Sequence, residues 1–154
     1  MTVRTAFIAN LPASLFALVG TSFKVAEKDI YFDSRTRYSR TGTEILLRWG
    51  GRSTEELLAG RVITSAVDIE LFVATTDKVI DPDLRIEAKI EAAALAIVEN
   101  YDNSLETLTT MLGFPIDSVR CFEKSSVDIF PGDPDDSRTK YVQHIALEVS
   151  AWED

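Results

Sequence analysis

The spacing of apolar positions changes several times along the chain, and each change marks an element. Between Thr2 and Gly20, Phe7, Leu11, Leu15 and Leu18 recur every three or four residues, which predicts an amphipathic helix capped by Thr2 and ended at Gly20. Pro12 falls inside that pattern, where it removes a backbone donor and crowds the preceding turn. The expectation is therefore a kink or two short helices, the second starting near Pro12. Phe23 to Phe32 carries a weak strand signal broken by Lys24, Glu27, Lys28 and Asp29. Asp33 to Gly42 has no apolar period and predicts a basic, exposed loop. Glu44 to Trp49 predicts a short strand stopped by Gly50 and Gly51. From Val62 to Thr75 the alternation is clean: Ile63, Val67, Ile69, Leu71 and Val73 fall on one side, Thr64, Asp68 and Glu70 on the other. A sheet with one buried face and one wet or partner-covered face follows.

Asp81 supplies a cap, Pro82 the first helical position, and Asp83 a charge that the helix dipole favours. Ile86, Ile90, Ala93, Ala94, Ile97, Val98 and Tyr101 then form one stripe, the mark of a helix laid on a sheet. Asn103 with Glu106 three residues on predicts a capping box for a short helix carrying Leu105, Leu108 and Leu112 and stopped by Gly113. The rest predicts a long antiparallel hairpin: Val119 to Phe130, the turn Pro131 to Ser137, and a closing strand from Arg138 to Trp152. In that strand Tyr141, Ile145, Leu147 and Val149 oppose Lys140, His144 and Glu148. A strand so close to the end of the sequence either pairs on both sides or leaves an edge, and this edge is the first place to expect function.

Strands on either side of one long helix predict a single α+β domain spanning residues 1–154, with an antiparallel or mixed sheet covered on one face by that helix plus short N-terminal and connecting helices. A chain of 154 residues, 45% hydrophobic and 27% charged, has material for such a core without disulfides or metal. The single cysteine fits a reducing compartment. No run reaches the roughly 18 to 20 apolar residues that span a bilayer, and the first residues lack a signal-peptide core, so a cytoplasmic site of synthesis is expected. The net charge of −9 is unevenly distributed. Through Arg61 there are nine Lys/Arg and six Asp/Glu, net +3; beyond it there are seven and nineteen, net −12. That polarity suits charge-steered assembly and disfavours general duplex binding, although acidic residues more often serve solubility alone.

One histidine and one cysteine leave little material for nucleophilic, metal or redox chemistry. His144, on the face of Val142, Ala146 and Glu148, is expected to be a hydrogen-bonded sheet residue, because a base needs an orienting partner and a nearby nucleophile. Cys121 is expected to be buried as a small apolar side chain. Asp133, Asp135 and Asp136 around Pro134 have turn composition and lack the spacing of a calcium loop. Gly50-Gly51 lacks the lysine of a phosphate loop. Arg35, Arg37, Tyr38 and Arg40 combine basic and aromatic residues of the kind enriched in interfaces. Together with the three aspartates of the turn they are the candidate interface; no catalytic, cofactor or metal residues are expected.

Several features together resemble the tail terminator proteins of long-tailed bacteriophages. They are the helix beginning Arg-Thr-Ala-Phe-Ile-Ala-Asn-Leu, the strand Ile69-Glu70-Leu71-Phe72-Val73, the helix led by Asp-Pro, the closing hairpin and the length. The resemblance implies a virion protein without an active site or cofactor, assembled in the host cytoplasm. It implies a hexameric ring of identical subunits that caps the tail tube protein, ends its polymerisation and meets the head-completion or connector protein. DNA would pass through the lumen without specific binding, and no membrane is involved. A head-closure or tube component would share this plan, and tube proteins polymerise alone whereas a terminator stops at one ring. The non-assembly alternative is a small ligand-binding domain or enzyme, for which Glu70, His144 and Glu148 are the residues to test.

Overall fold

A computed structural model describes residues 2–32, 42–57, 60–76, 82–132 and 137–153. Thr2 starts helix α1 (Val3–Val19) by accepting the Thr5 N–H on its hydroxyl at 3.1 Å. The helix is one element of 17 residues that runs through Pro12, neither short nor divided. Pro12 removes one backbone bond, but Phe7, Leu11, Leu15 and Val19 stay on one stripe and are fully buried, and burial of each contributes roughly 1.5–3 kcal/mol. That outweighs a missing bond. The stretch predicted as a weak strand is mostly turn: a 3-10 turn at Glu27–Asp29 precedes β1, which spans only Ile30–Phe32.

The next strand is longer than its glycines suggested. β2 (Gly42–Leu57) continues through Gly50 and Gly51 by a bulge between Trp49 and Gly51, where Gly51 takes φ +126°. A β-bulge absorbs such a residue instead of ending the strand. β2 pairs along its whole length with β3 (Gly60–Thr75). Helix α2 (Pro82–Tyr101) follows, with Ile86, Ile90, Ala93, Ala94, Ile97 and Tyr101 buried as the periodicity predicted. Helix α3 (Leu105–Leu112) ends at Gly113 in the left-handed region, φ +83°. Its start differs from the expected capping box: Ser104 occupies the cap, its hydroxyl donates to Thr107 Oγ1, and Asn103 adopts φ +56° to turn the corner.

Three strands close the chain: β4 (Ser118–Glu123), β5 (Asp128–Phe130) and β6 (Thr139–Glu153). The sheet is mixed, in the order β1-β2-β3-β6-β4 with β5 beside β6; β1 runs parallel to β2 and the other pairings are antiparallel. The fold is α+β, with α1, α2 and α3 sharing one core with Ile45, Leu47, Val67, Ile69, Leu71, Tyr141, Ile145, Leu147 and Val149.

The last strand is not an edge. β6 inserts between β3 on one side and β4 with β5 on the other, so both its backbone rows are used. The predicted first arm of the hairpin divides into β4 and β5, joined by a connection whose Lys124 N–H donates to the His144 carbonyl at 2.9 Å. The outward row of β4 is also occupied. Asp102 Oδ1 accepts the Cys121 N–H at 2.9 Å, and the Asn103 N–H reaches the Val119 carbonyl at 3.3 Å. The corner between α2 and α3 thus covers a strand edge that would otherwise invite pairing.

Candidate assembly interface

Successive rows of side chains on the face turned away from the helices follow from strand register. Leu46, Glu70 and His144 form one row; Arg48, Asp68, Ala146 and Phe122 the next. Ser53, Thr64, Ser150 and Ser118 lie farther along, then Glu55, Val62 and Trp152. Phe72, Ala74 and Val142 make a second small cluster at the other end of this face.

The middle of the face holds a connected set of charges. His144 Nδ1 lies 3.0 Å from Asp68 Oδ2, and His144 Nε2 lies 3.7 Å from Glu70 Oε1. Arg48 Nη1 meets Glu70 Oε1 at 3.3 Å, and Lys124 Nζ meets Asp68 Oδ1 at 3.4 Å. The hydrogen bond to Asp68 raises the His144 pKa against the effect of its burial, with the charges of Asp68 and Glu70 adding to the rise and Lys124 opposing it. Burial by itself would raise Asp68, but His144 and Lys124 hold it below its ordinary value. When protonated, His144 places a positive charge between the hydrogen-bonded Asp68 and the nearby Glu70 and ties β3 to β6. This is an ion-pair network, and the group facing Nε2 is a carboxylate, not a hydroxyl or thiol.

The linkage has a definite sign. A raised folded-state pKa for His144 means that its stabilisation is complete below about pH 6.5, the ordinary histidine value, and is lost as pH rises through the folded value. Asp68 works the other way, contributing above its ordinary value and losing that contribution as pH falls through its lowered one. The chain's one histidine makes the check unambiguous. An NMR titration of the imidazole is expected to give a midpoint above 6.5 that returns toward it in Asp68→Asn; a midpoint at or below 6.5 in the parent protein would contradict the network.

Of the residues singled out from sequence, Glu70 and His144 stand opposite one another, while Glu148 is separate and pairs with Arg120 at 3.4 Å. Cys121 faces the helices, buried, its thiol pushed up to about 12 by burial and by Asp102. Arg35, Arg37, Tyr38, Arg40, Asp133, Asp135 and Asp136 lie outside the described residues. Among the described residues no group of three or more His, Cys, Asp or Glu is arranged to hold a metal ion. None of the described helices is long and apolar enough to cross a membrane.

The outer half of the β2–β3 hairpin has a different character. Gly50 to Leu57 are all exposed. β1 pairs β2 only at Ile45–Leu47, so among the described residues no strand covers the outer row of β2 beyond Trp49. Leu57 and Trp152 remain 46% and 48% exposed on the same face, with Val62 between them by register. That edge and, two strands away in the row of Glu55 and Val62, an exposed tryptophan are features suited to protein contact. The sequence offers one signal for them, a tryptophan near the end of a strand; the polar run after Gly50-Gly51 has no apolar alternation to mark a strand. Helix α1 adds exposed Ile8 and Phe16 on a segment without charge between Arg4 and Lys24.

No protein-family profile matches the chain, and no curated protein matches it. Among solved structures, it is similar to a chain of the virion of a native gene transfer agent particle, with 14% identity, 97% of this chain and 92% of that chain covered, and a TM-score of 0.43. A likeness of that size carries no argument about function.

Proposed function

We propose that this chain is a structural subunit of a tailed-phage-type virion. It assembles into a ring, six-membered in the family it resembles, that caps the tail tube, ends its growth and offers its other side to the head connector. Its work is contact, not catalysis. The observation that carries the reading is the exposed outer half of β2, whose edge no strand covers among the described residues, together with exposed Leu57 and, two strands away on the same face, Trp152. Such a surface is a liability for a monomer and a joint for an assembly. The self-contained pairing of His144, Asp68 and Glu70 supports the same reading, since their polar groups are spent on one another. The uneven charge along the chain adds steering between neighbours.

Electron microscopy of the purified protein, alone and mixed with tail tubes, tests this. Rings, or rings seated on tube ends, are expected. Open-ended polymers of the protein alone would favour a tube component, and a monomer that ignores tubes would sink the proposal.

A further inference from the structure

The side of α1 turned away from the core is apolar and carries no charge. On the inner side the Asn10 amide donates to the Met111 carbonyl at 2.9 Å, while outward Ile8, Ala9, Ala13, Phe16 and Ala17 are exposed, Ile8 by 49% and Phe16 by 39%. Two rows with four-residue spacing run side by side there. Ile8, Pro12 and Phe16 form a ridge, and Ala9, Ala13 and Ala17 form a groove beside it. We propose that two copies of this chain pack α1 against α1, antiparallel about a twofold axis between Pro12 and Ala13, with the ridge of each seated in the groove of the other.

Charge selects a second copy as the occupant. From Thr5 to Phe23 no residue is charged, so a charged surface pressed on this face would lose its water without gaining a partner. Among the described residues the other exposed large apolar side chains all lie beside carboxylates: Leu95 between Glu91 and Glu99, Leu105 next to Glu106, Leu57 next to Glu56, Ile129 and Phe130 after Asp128, and Trp152 next to Glu153. Only α1 matches α1. Size then sets the register. An axis between Pro12 and Ala13 puts Phe16 of one copy over Ala9 of the other and Ile8 over Ala17, large against small at each step. Antiparallel order also keeps the two Arg4 side chains and the positive helix starts at opposite ends. Phe16 is held ready for this contact. Gly20 has ordinary right-handed helical angles, yet a Cβ there would stand 2.7 Å from Phe16 Cδ2, so the glycine makes the room in which the exposed ring lies along the helix end. A ring already seated loses little freedom on binding.

An isologous contact closes at two copies, so this one pairs subunits and does not itself build a ring. A single helix pair is smaller than the roughly 20–30 residues a side of a standard interface, so the dimer is weak and concentration-dependent.

Cysteine cross-linking of the full chain tests the register. Ala13 stands next to the axis, whereas Ala9 and Ala17 each lie roughly 6 Å of helix from it, so each is separated from its own copy by about twice that, beyond disulfide range. Under oxidised glutathione, Ala13→Cys is expected to form a covalent dimer at least tenfold faster than Ala9→Cys or Ala17→Cys. Cys121, being buried, provides no competing thiol. In sedimentation the parent protein is expected to dimerise as concentration rises, while Ala13→Leu, which fills the groove, and Phe16→Glu, which charges the ridge, stay monomeric with the circular dichroism spectrum of the parent. A parent that remains monomeric, equal cross-linking at the three positions, or an Ala13→Leu protein that dimerises like the parent overturns the pairing. The ring reading is separate: rings without Ala13 cross-links would refute this inference alone, and Ala13 cross-links without rings or tube capping would refute the ring alone.

Discussion

Replacing Glu70 with alanine is expected to lower folding stability by about 3 kcal/mol, the low end of the range for breaking a buried ion pair. Glu70 is 1% exposed and holds Arg48 at 3.3 Å and His144 at 3.7 Å. Arg48 already carries a buried Nη2 without a hydrogen-bond partner, so losing Glu70 leaves its guanidinium with Asp68 at 4.0 Å, which already serves His144 and Lys124. Arg48 keeps 21% side-chain exposure, and the remaining water contact is why the lower figure applies. Glu70→Gln, which keeps the shape and an acceptor, should cost less. Arg48→Met with Glu70→Leu should recover most of the loss, because paired buried charges are often replaceable by apolar groups when both go together. Urea unfolding of the four proteins decides the matter. If Glu70→Ala unfolds at the parent midpoint, the network on the open face is ornamental to the fold.

Elements whose evidence is local were legible in the sequence. Thr2 starts α1 and Gly113 ends α3 where their backbone chemistry says they should, whereas Gly20 keeps right-handed helical angles, and the stripe from Ile86 to Tyr101 is buried where its period says. The alternation in β3 and β6 gave the correct inward faces, and His144 was assigned to the correct side. What failed depends on long-range pairing. Gly50-Gly51 has the composition of a turn, yet the partner strand carries β2 through it, because fifteen residue pairs with β3 outweigh one irregular step. Pro12 was overruled in the same way by a buried stripe. The sequence leaves open whether the closing strand is paired on both sides, because nothing local reveals that β6 enters between strands that precede it. The orienting carboxylate of His144 comes from Asp68, 76 positions earlier, and only the β3–β6 register brings the two together.

That same register gives Trp152 its weight. Pairing with Val62 fixes its backbone at the distal end of the open face, while about half of the side chain stays in solvent and its indole N–H reaches Asp117 Oδ1 at 3.3 Å. Half-exposed aromatic groups contribute little to the fold that carries them, but a tryptophan buried by a partner is a frequent centre of binding energy. Trp152→Ala is therefore expected to change unfolding by less than about 1 kcal/mol. Assembly should suffer far more: a loss of about 2 kcal/mol per contact is roughly 30-fold in affinity, and a ring repeats the contact in every subunit. Comparing melting curves with a titration of tube-end capping separates the two effects. A variant that melts like the parent and no longer caps places the tryptophan at the joint between subunits or between ring and tube. A variant that caps normally takes the exposed hairpin end out of the interface, and with it the observation on which the assembly reading stands.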